Sequence, residues 1–272
     1  MTPQPQDPQS QAQLQPQAQA KAQAQAQAQA QGQQQARRFT HLILDCDGVM
    51  VDSERASCES LRRAILQCTG LDIPHAFPAD FAAVFGMDVR SCVEHYAAAL
   101  APRGAAWADP GALAALVSAA KEGIYRELTT PPAGGIAAFA GVAELVAAAR
   151  GLGMGVAIAS SGSPHKIAHN LSSAGLEGLV PRELVVSAAH VARGKPAPDV
   201  YLEALWRLGC GEPARCVVVE DAVNGLAAAR GAGCFAVAVA TSLPAEVLAG
   251  HADLVLASLA ELDLEALCAE AI

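Results

Sequence analysis

Four polar clusters carry the residues able to do chemistry: Asp45-Cys46-Asp47-Gly48, Ser160-Ser161-Gly162, Gly194-Lys195-Pro196 and Glu220-Asp221. Each follows an apolar run or stands in a loop before a helical pattern. If the chain brings them together, the carboxylates repel one another strongly unless a cation neutralises them, and a set of hard oxygen ligands selects Mg2+. Taken singly, each cluster has a structural explanation. An Asp after a strand suits a turn or helix cap, Ser160 suits a cap for a helix starting near Pro164, and Glu220-Asp221 suits the start of the next helix. Lys195 before a proline suits solvent. Four such clusters in order are what point to one site.

The elements that must position them are read from apolar periodicity. FTHLILDCDG, Gly155 to Ser160 (GVAIAS), Cys216 to Glu220 (CVVVE) and Phe235 to Val239 (FAVAV) are runs of strand length, and a fifth is expected over Asp253 to Leu256. LVAAARGLG and NGLAAARGAG between them end as helices end, in Arg and Gly. Alternating strands and helices imply a parallel sheet covered on both faces, whose ligands bind at the carboxyl ends of the strands. From Ser53 to about Phe139 the strands vanish and three helix-like stretches take their place, closed by Pro131, Pro132, Gly134 and Gly135. The domains expected are a Gln/Ala-rich disordered tail over 1–36, a sheet core formed by 37–53 and 139–272, and a helical insertion over 54–138.

Composition narrows the function. Of 272 residues 52% are apolar and 4% aromatic, so the core is expected to rest on Ala, Leu and Val. Net charge is -9, from 18 basic against 27 acidic residues, which argues against a nucleic-acid partner. No stretch reaches the roughly 18 apolar residues of a membrane span, so no membrane partner is expected. The tail lacks the pattern of a secretory signal and has only Lys21 before Arg37, which leaves a transit peptide little support. A cytoplasmic monomer is expected, with the eight cysteines as reduced, mostly buried thiols.

DCDGVMVDSE, ASSGS, RGKPAPD and VVVEDAVNG together resemble the four motifs of the haloacid dehalogenase superfamily, in order, across residues 39 to about 245. The likeness is to its phosphatase and phosphomutase branch, with a helical cap between the first and second motifs. It implies an α/β fold, a Rossmann-like parallel sheet core with an inserted cap domain. It implies Asp45 as the nucleophile forming an aspartyl phosphate and Asp47 as general acid and base. Ser160, Ser161 and Lys195 are implied phosphate-binding residues, with backbone amides around Ser161 and Gly162 adding donors. Asp45, the Asp47 carbonyl, Glu220 and Asp221 are the implied Mg2+ ligands.

Phe85-Gly86-Met87-Asp88-Val89-Arg90 resembles the cap loop that faces the active site, and Arg90 is the expected cap contact, against a solvated helix-start role. Val89 and Ser57 stand where beta-phosphoglucomutase has its phosphate-clamp Arg and hinge His, which favours hydrolysis over isomerisation. Asp47 argues against a dehalogenase, and Lys121, in a helix that looks ordinary, against a Schiff-base phosphonatase. Asp52 and Asp199 suit helix starts, Asn224 a helix entry. His165 and His169 share a helix face without a third ligand. The expected activity is a Mg2+-dependent phosphatase acting on a small phosphorylated metabolite, a sugar phosphate or phosphosugar acid such as 6-phosphogluconate. A phosphomutase and a non-catalytic phosphate-metabolite-binding protein remain the alternatives.

Overall fold

The computed structural model describes residues 38–100, 109–132 and 134–269. The Gln/Ala-rich tail expected over 1–36 lies outside the described residues. In chain order the described strands are β1 (His41–Leu44), β2 (Val51–Asp52), β3 (Ala137–Ala138), β4 (Gly155–Ser160), β5 (Val185–Ser187), β6 (Cys216–Glu220), β7 (Phe235–Val239) and β8 (Leu254–Leu256). Six form one parallel sheet in the order β5-β4-β1-β6-β7-β8. The sheet is the α/β core expected. β5 is a strand that sequence periodicity does not reveal, because only three residues of it pair, and β8 starts one residue later than expected.

Both faces of the sheet are covered. On one, Leu42, Leu44, Val156, Ile158, Val217, Val219 and Val237 pack against α4 (Val142–Gly151) and α5 (Pro164–Ser173). On the other, Ile43, Ala157, Ala159, Val218, Ala236 and Ala238 meet α6 (Asp199–Leu208) and α7 (Val223–Gly231). The second face is built mostly of Ala, which lets helix backbones approach the sheet closely. That is how a chain so poor in aromatics reaches core density. Burying a Leu, Ile or Val of these faces contributes about 1.5–3 kcal/mol each.

Between β2 and β3 lie three long helices, α1 (Glu54–Thr69), α2 (Val89–Leu100) and α3 (Pro110–Thr129), with Leu61, Ile65, Val93 and Val117 buried among them. Asp109 caps α3 by accepting from the Gly111 and Ala112 amides ahead of a Pro at the first turn. β2 and β3 pair antiparallel, Val51 with Ala138 and Asp52 with Ala137, so both crossings between insertion and sheet run side by side. No helix among the described residues is long and apolar enough to cross a membrane. All eight cysteines are free thiols, six of them buried.

Of the two sequence expectations on helix starts, that for Asp52 is corrected and that for Asp199 is met. Asp52 ends β2 with its side chain exposed, and Ser53 takes the position ahead of α1. Asp199 is the first residue of α6, where it makes no side-chain cap but pairs with Arg193 at 2.7 Å.

Candidate active site

β1 sits at the centre of the sheet, between β4 and β6, so the residues that follow these three strands meet at one end. Strand pairing of β1 stops at Leu44, and Asp45 and Asp47 lie in the turn beyond it. Alternation along a strand therefore does not govern their side chains, which take different partners.

Asp45 is buried beside Glu220 and Asp221, and one carboxylate oxygen from each lies within 4.8 Å of the others. Lys195 reaches between them: its Nζ donates to Asp45 Oδ1 at 2.6 Å, to Glu220 Oε1 at 2.7 Å and to the Ala159 carbonyl at 3.2 Å. The Tyr201 hydroxyl, on α6, donates to the same Glu220 oxygen at 2.5 Å. Burial pushes the Asp45 carboxyl up to about 8 even against the pull of Lys195. Asp221 is pushed well above its ordinary value by burial and by Glu220. Lys195 is itself held above its ordinary value by the Asp45 and Glu220 carboxylates, which outweigh its burial. One ammonium for three buried carboxylates is too little charge, and the donor set, all hard oxygens, fits a Mg2+ ion. Among the described residues this is the sole grouping of acids, His and Cys able to hold a metal.

Two glycines make room for the cluster. A Cβ at Gly225 would stand 1.9 Å from Glu220 Oε1, and one at Gly48 would stand 1.8 Å from Asp221 Oδ2. Gly48 also turns with φ +78°, a conformation side chains rarely adopt.

Asp47 belongs to a second group. Its Oδ1 accepts from Lys166 Nζ at 2.8 Å, from Asn170 Nδ2 at 2.9 Å and from the Ser53 hydroxyl, and it is not part of the Asp45, Glu220 and Asp221 grouping. Burial alone would raise its pKa, but Lys166 and the hydrogen bonds bring it below the ordinary value. Lys166 and Asn170 lie four residues apart on α5, and Tyr125 of α3 donates to Asn170 Oδ1 at 2.7 Å. Sequence reasoning missed Lys166, Asn170, Ser53 and Tyr201. The i, i+4 spacing of Lys166 and Asn170 just after the Ser160 motif was the one signal available.

The expected residues take partners that the sequence does not announce. Ser160 Oγ accepts from the Gly162 amide at 3.0 Å, and Ser163, not Ser160, caps α5. Ser161 lines the cavity with Asp45 and Ser160, and its hydroxyl donates to the Gly86 carbonyl at 2.6 Å, holding the 83–88 loop of the insertion against the sheet end. Asn224 does the same from α7, donating to Phe85 O at 2.8 Å and Ala83 O at 3.2 Å. Arg90, the expected cap contact, lines the cavity, is mostly exposed and pairs with Glu94 at 2.9 Å. His169 bonds Thr129 Oγ1 at 2.8 Å, which leaves the His165 and His169 pair without a metal role. Lys121 is not the ordinary helix lysine the sequence suggests: it enters the cavity and donates to Ser57 Oγ at 3.1 Å.

Asp45 and Asp47 line a cavity of about 730 Å3 between sheet end and insertion, a size suited to a small metabolite. The haloacid dehalogenase-like hydrolase family matches residues 39–233, across all four clusters. The chain belongs to that family.

Protein CbbY of Cupriavidus necator is 32% identical to this hydrolase over 206 residues, 75% of this chain and 80% of that protein. Hexitol phosphatase A of Escherichia coli is 39% identical over 135 residues, 47% of this chain. The chain spans 57% of the length of that phosphatase and as little as 12% of another curated relative. The crystal structure of CbbY from Rhodobacter sphaeroides in complex with phosphate superimposes with TM-score 0.66 and 25% identity, covering 82% of this chain and 96% of that one. Several of these relatives carry names as phosphatases, among them hexitol phosphatase A and the validoxylamine A 7'-phosphate phosphatase of Streptomyces hygroscopicus.

Glu54, at the start of α1, lines the same cavity, and among the described residues no hydrogen bond or ion pair holds its carboxyl. Burial, then Asp47, push it from 4.5 to about 7. A carboxyl raised on folding adds stability that is complete below the unfolded value and is lost as pH climbs through the folded one. Glu54→Gln is therefore expected to match the wild type in Tm near pH 4.5 and to exceed it at pH 8. A Tm difference of the opposite sign at pH 8 would mean that the carboxylate is held by a partner.

Proposed function

We propose that this hydrolase is a Mg2+-dependent phosphatase of small phosphorylated metabolites, most suited to sugar phosphates or phosphosugar acids, working through an aspartyl phosphate on Asp45. The observation that carries the reading is the buried Asp45, Glu220 and Asp221 cluster held open by Lys195, with a separately anchored carboxylate two residues from Asp45. Glu220, Asp221, Asp45 and the Asp47 main-chain carbonyl are the candidate ligands. What a bound dication supplies there is neutralisation of charge between Asp45 and the phosphoryl oxygens.

In this reading an Asp45 oxygen attacks phosphorus, the ester P–O bond breaks, and the leaving alkoxide takes a proton from Asp47. Water then attacks the aspartyl phosphate while Asp47 takes back a proton, releasing phosphate and restoring Asp45. All three donors on Asp47 go to Oδ1, which leaves Oδ2 to carry the proton. The lowered pKa of Asp47 favours the base step. The acid step is served when a phosphate dianion arrives beside it and raises its proton affinity. Lys195 steadies Asp45, and Ser160 with the neighbouring amides is the candidate cradle for the phosphoryl oxygens. The helices of 54–138 act as the cap that closes over the substrate and excludes water.

The test is phosphate release from a panel of sugar phosphates, sugar-acid phosphates and a nucleoside monophosphate, with Mg2+ and after chelation. Turnover is expected to fall to background on chelation and to return with Mg2+. Release that persists without divalent cation would remove the metal from the reading. Conversion of a primed hexose 1-phosphate to its 6-phosphate without release would make the enzyme a mutase.

A further inference from the structure

The three acids at the strand ends are not held alike. Glu220 Oε1 takes the Lys195 ammonium at 2.7 Å and the Tyr201 hydroxyl at 2.5 Å, and its Oε2 accepts the Asp221 amide at 3.1 Å. Asp45 takes Lys195 at 2.6 Å. Asp221 is as deeply buried, yet among the described residues it enters no ion pair. What its carboxylate has instead is a hydrogen bond from the Ser242 hydroxyl. A Cβ at Gly48 would fall 2.8 Å from Ser242 Oγ as well as against Asp221 Oδ2, so the two side chains meet beside one main-chain turn.

Ser242 stands in the turn after β7, the strand next to β6 in the sheet, and outside all four sequence clusters. That turn is fixed at three points. The Ala240 amide donates to the Leu256 carbonyl at 2.9 Å, Thr241 Oγ1 donates to the Gly48 carbonyl at 2.5 Å, and Leu243 is buried in the core. Thr241 is exposed and Ser242 half-buried, and neither is among the residues that line the cavity.

We propose that the turn after β7 is a fifth strand-end part of the site, in which Ser242 is a positioning residue that fixes the Asp221 carboxylate and so sets how tightly the acids take a dication. The proposal rests on the Mg2+ phosphatase reading and adds a residue to it. A serine hydroxyl has one proton to give, and given to Asp221 it leaves the other lone pairs of that carboxylate for the ion. Without it the carboxylate has more rotational freedom to lose when the ion binds, and that ordering weakens affinity. Ligating carboxylates are oriented by such hydrogen bonds, and losing one typically weakens metal binding or activity about 10- to 100-fold.

The experiment follows Tm against Mg2+ concentration, starting from chelator, for wild type, Ser242→Ala, Ser242→Thr and Thr241→Val, since an ion that binds the folded chain raises Tm according to its affinity. The Mg2+ needed for half-maximal release of phosphate from p-nitrophenyl phosphate is measured beside it. Ser242→Ala is expected to move both midpoints to roughly 10- to 100-fold higher Mg2+. Ser242→Thr, which keeps a hydroxyl, should stay within a few-fold of the wild type. Thr241→Val removes a hydroxyl from the same turn without touching Asp221, and its midpoints should lie closer to the wild type than those of Ser242→Ala. An Ala variant with wild-type midpoints, or one whose Tm falls equally in chelator and in saturating Mg2+, would make Ser242 merely structural and overturn the proposal. Equal shifts in Ser242→Ala and Thr241→Val, or no rescue by Thr, would also overturn it. A wild-type Tm that ignores Mg2+ would bring down the metal reading itself, and the role of Ser242 with it.

Discussion

Asp45→Asn is expected to lose phosphate release by roughly 10^4-fold or more, since removal of a covalent nucleophile leaves only binding and charge stabilisation. The same change should leave the fold intact and keep or raise Tm. Asn preserves the shape of Asp45, and its neutral amide removes one of three mutually repelling buried carboxylates while leaving Lys195 with Glu220. Steady-state phosphate release and thermal unfolding, measured on one preparation, give both readouts. Near-normal turnover would take the nucleophile away from Asp45. Lost turnover accompanied by a large fall in Tm would mean that the Asp45 to Lys195 pair is chiefly structural.

Lys195→Met should fail on both counts. Met fills nearly the same volume, but it strips the one ammonium from a pocket where Asp45 and Glu220 are buried within 2.7 Å of it. Removing one partner of a buried pair typically costs about 3–5 kcal/mol, because the charge left behind has neither water nor partner. For a chain of this size each kcal/mol lowers Tm by roughly 2–4 °C. Mg2+ should recover more Tm in this variant than in the wild type, because a dication can take over the neutralisation that Lys195 performs. An unchanged Tm in chelator would show that the three carboxylates are not ionised together.

Much of this site was legible because its core residues follow strands. The apolar runs before Asp45, Ser160 and Glu220 stop where polar residues begin, and a parallel sheet brings such stops to one end. Lys195 was legible only through its motif, since nothing about a lysine before a proline says that it will be almost fully buried. The residues that steer Asp47, and those lining the far side of the cavity, come instead from helices. Lys166, Asn170, Lys121 and Glu54 appear as single polar residues on amphipathic faces, where a solvated position and a cavity position look alike. The loop contact of Ser161 was not legible for a related reason: its partner is the Gly86 carbonyl, some seventy-five residues away along the chain. β5 escaped because three paired residues are too short for a period to show.

The two-residue ribbon of β2 and β3 gives the insertion a narrow neck. Because the chain leaves and rejoins the sheet at adjacent points, the helices between them are, to the sheet, one long closed loop, and the cost of closing a loop grows only slowly with its length. The grip on that loop from Ser161 and Asn224 falls on main-chain carbonyls of residues 83, 85 and 86 and not on side chains. Apart from Tyr125, which holds Asn170 beside Asp47, the portion that walls the cavity can thus exchange its side chains without disturbing the acids at the strand ends. Selection can retune what enters while the reacting groups stay fixed.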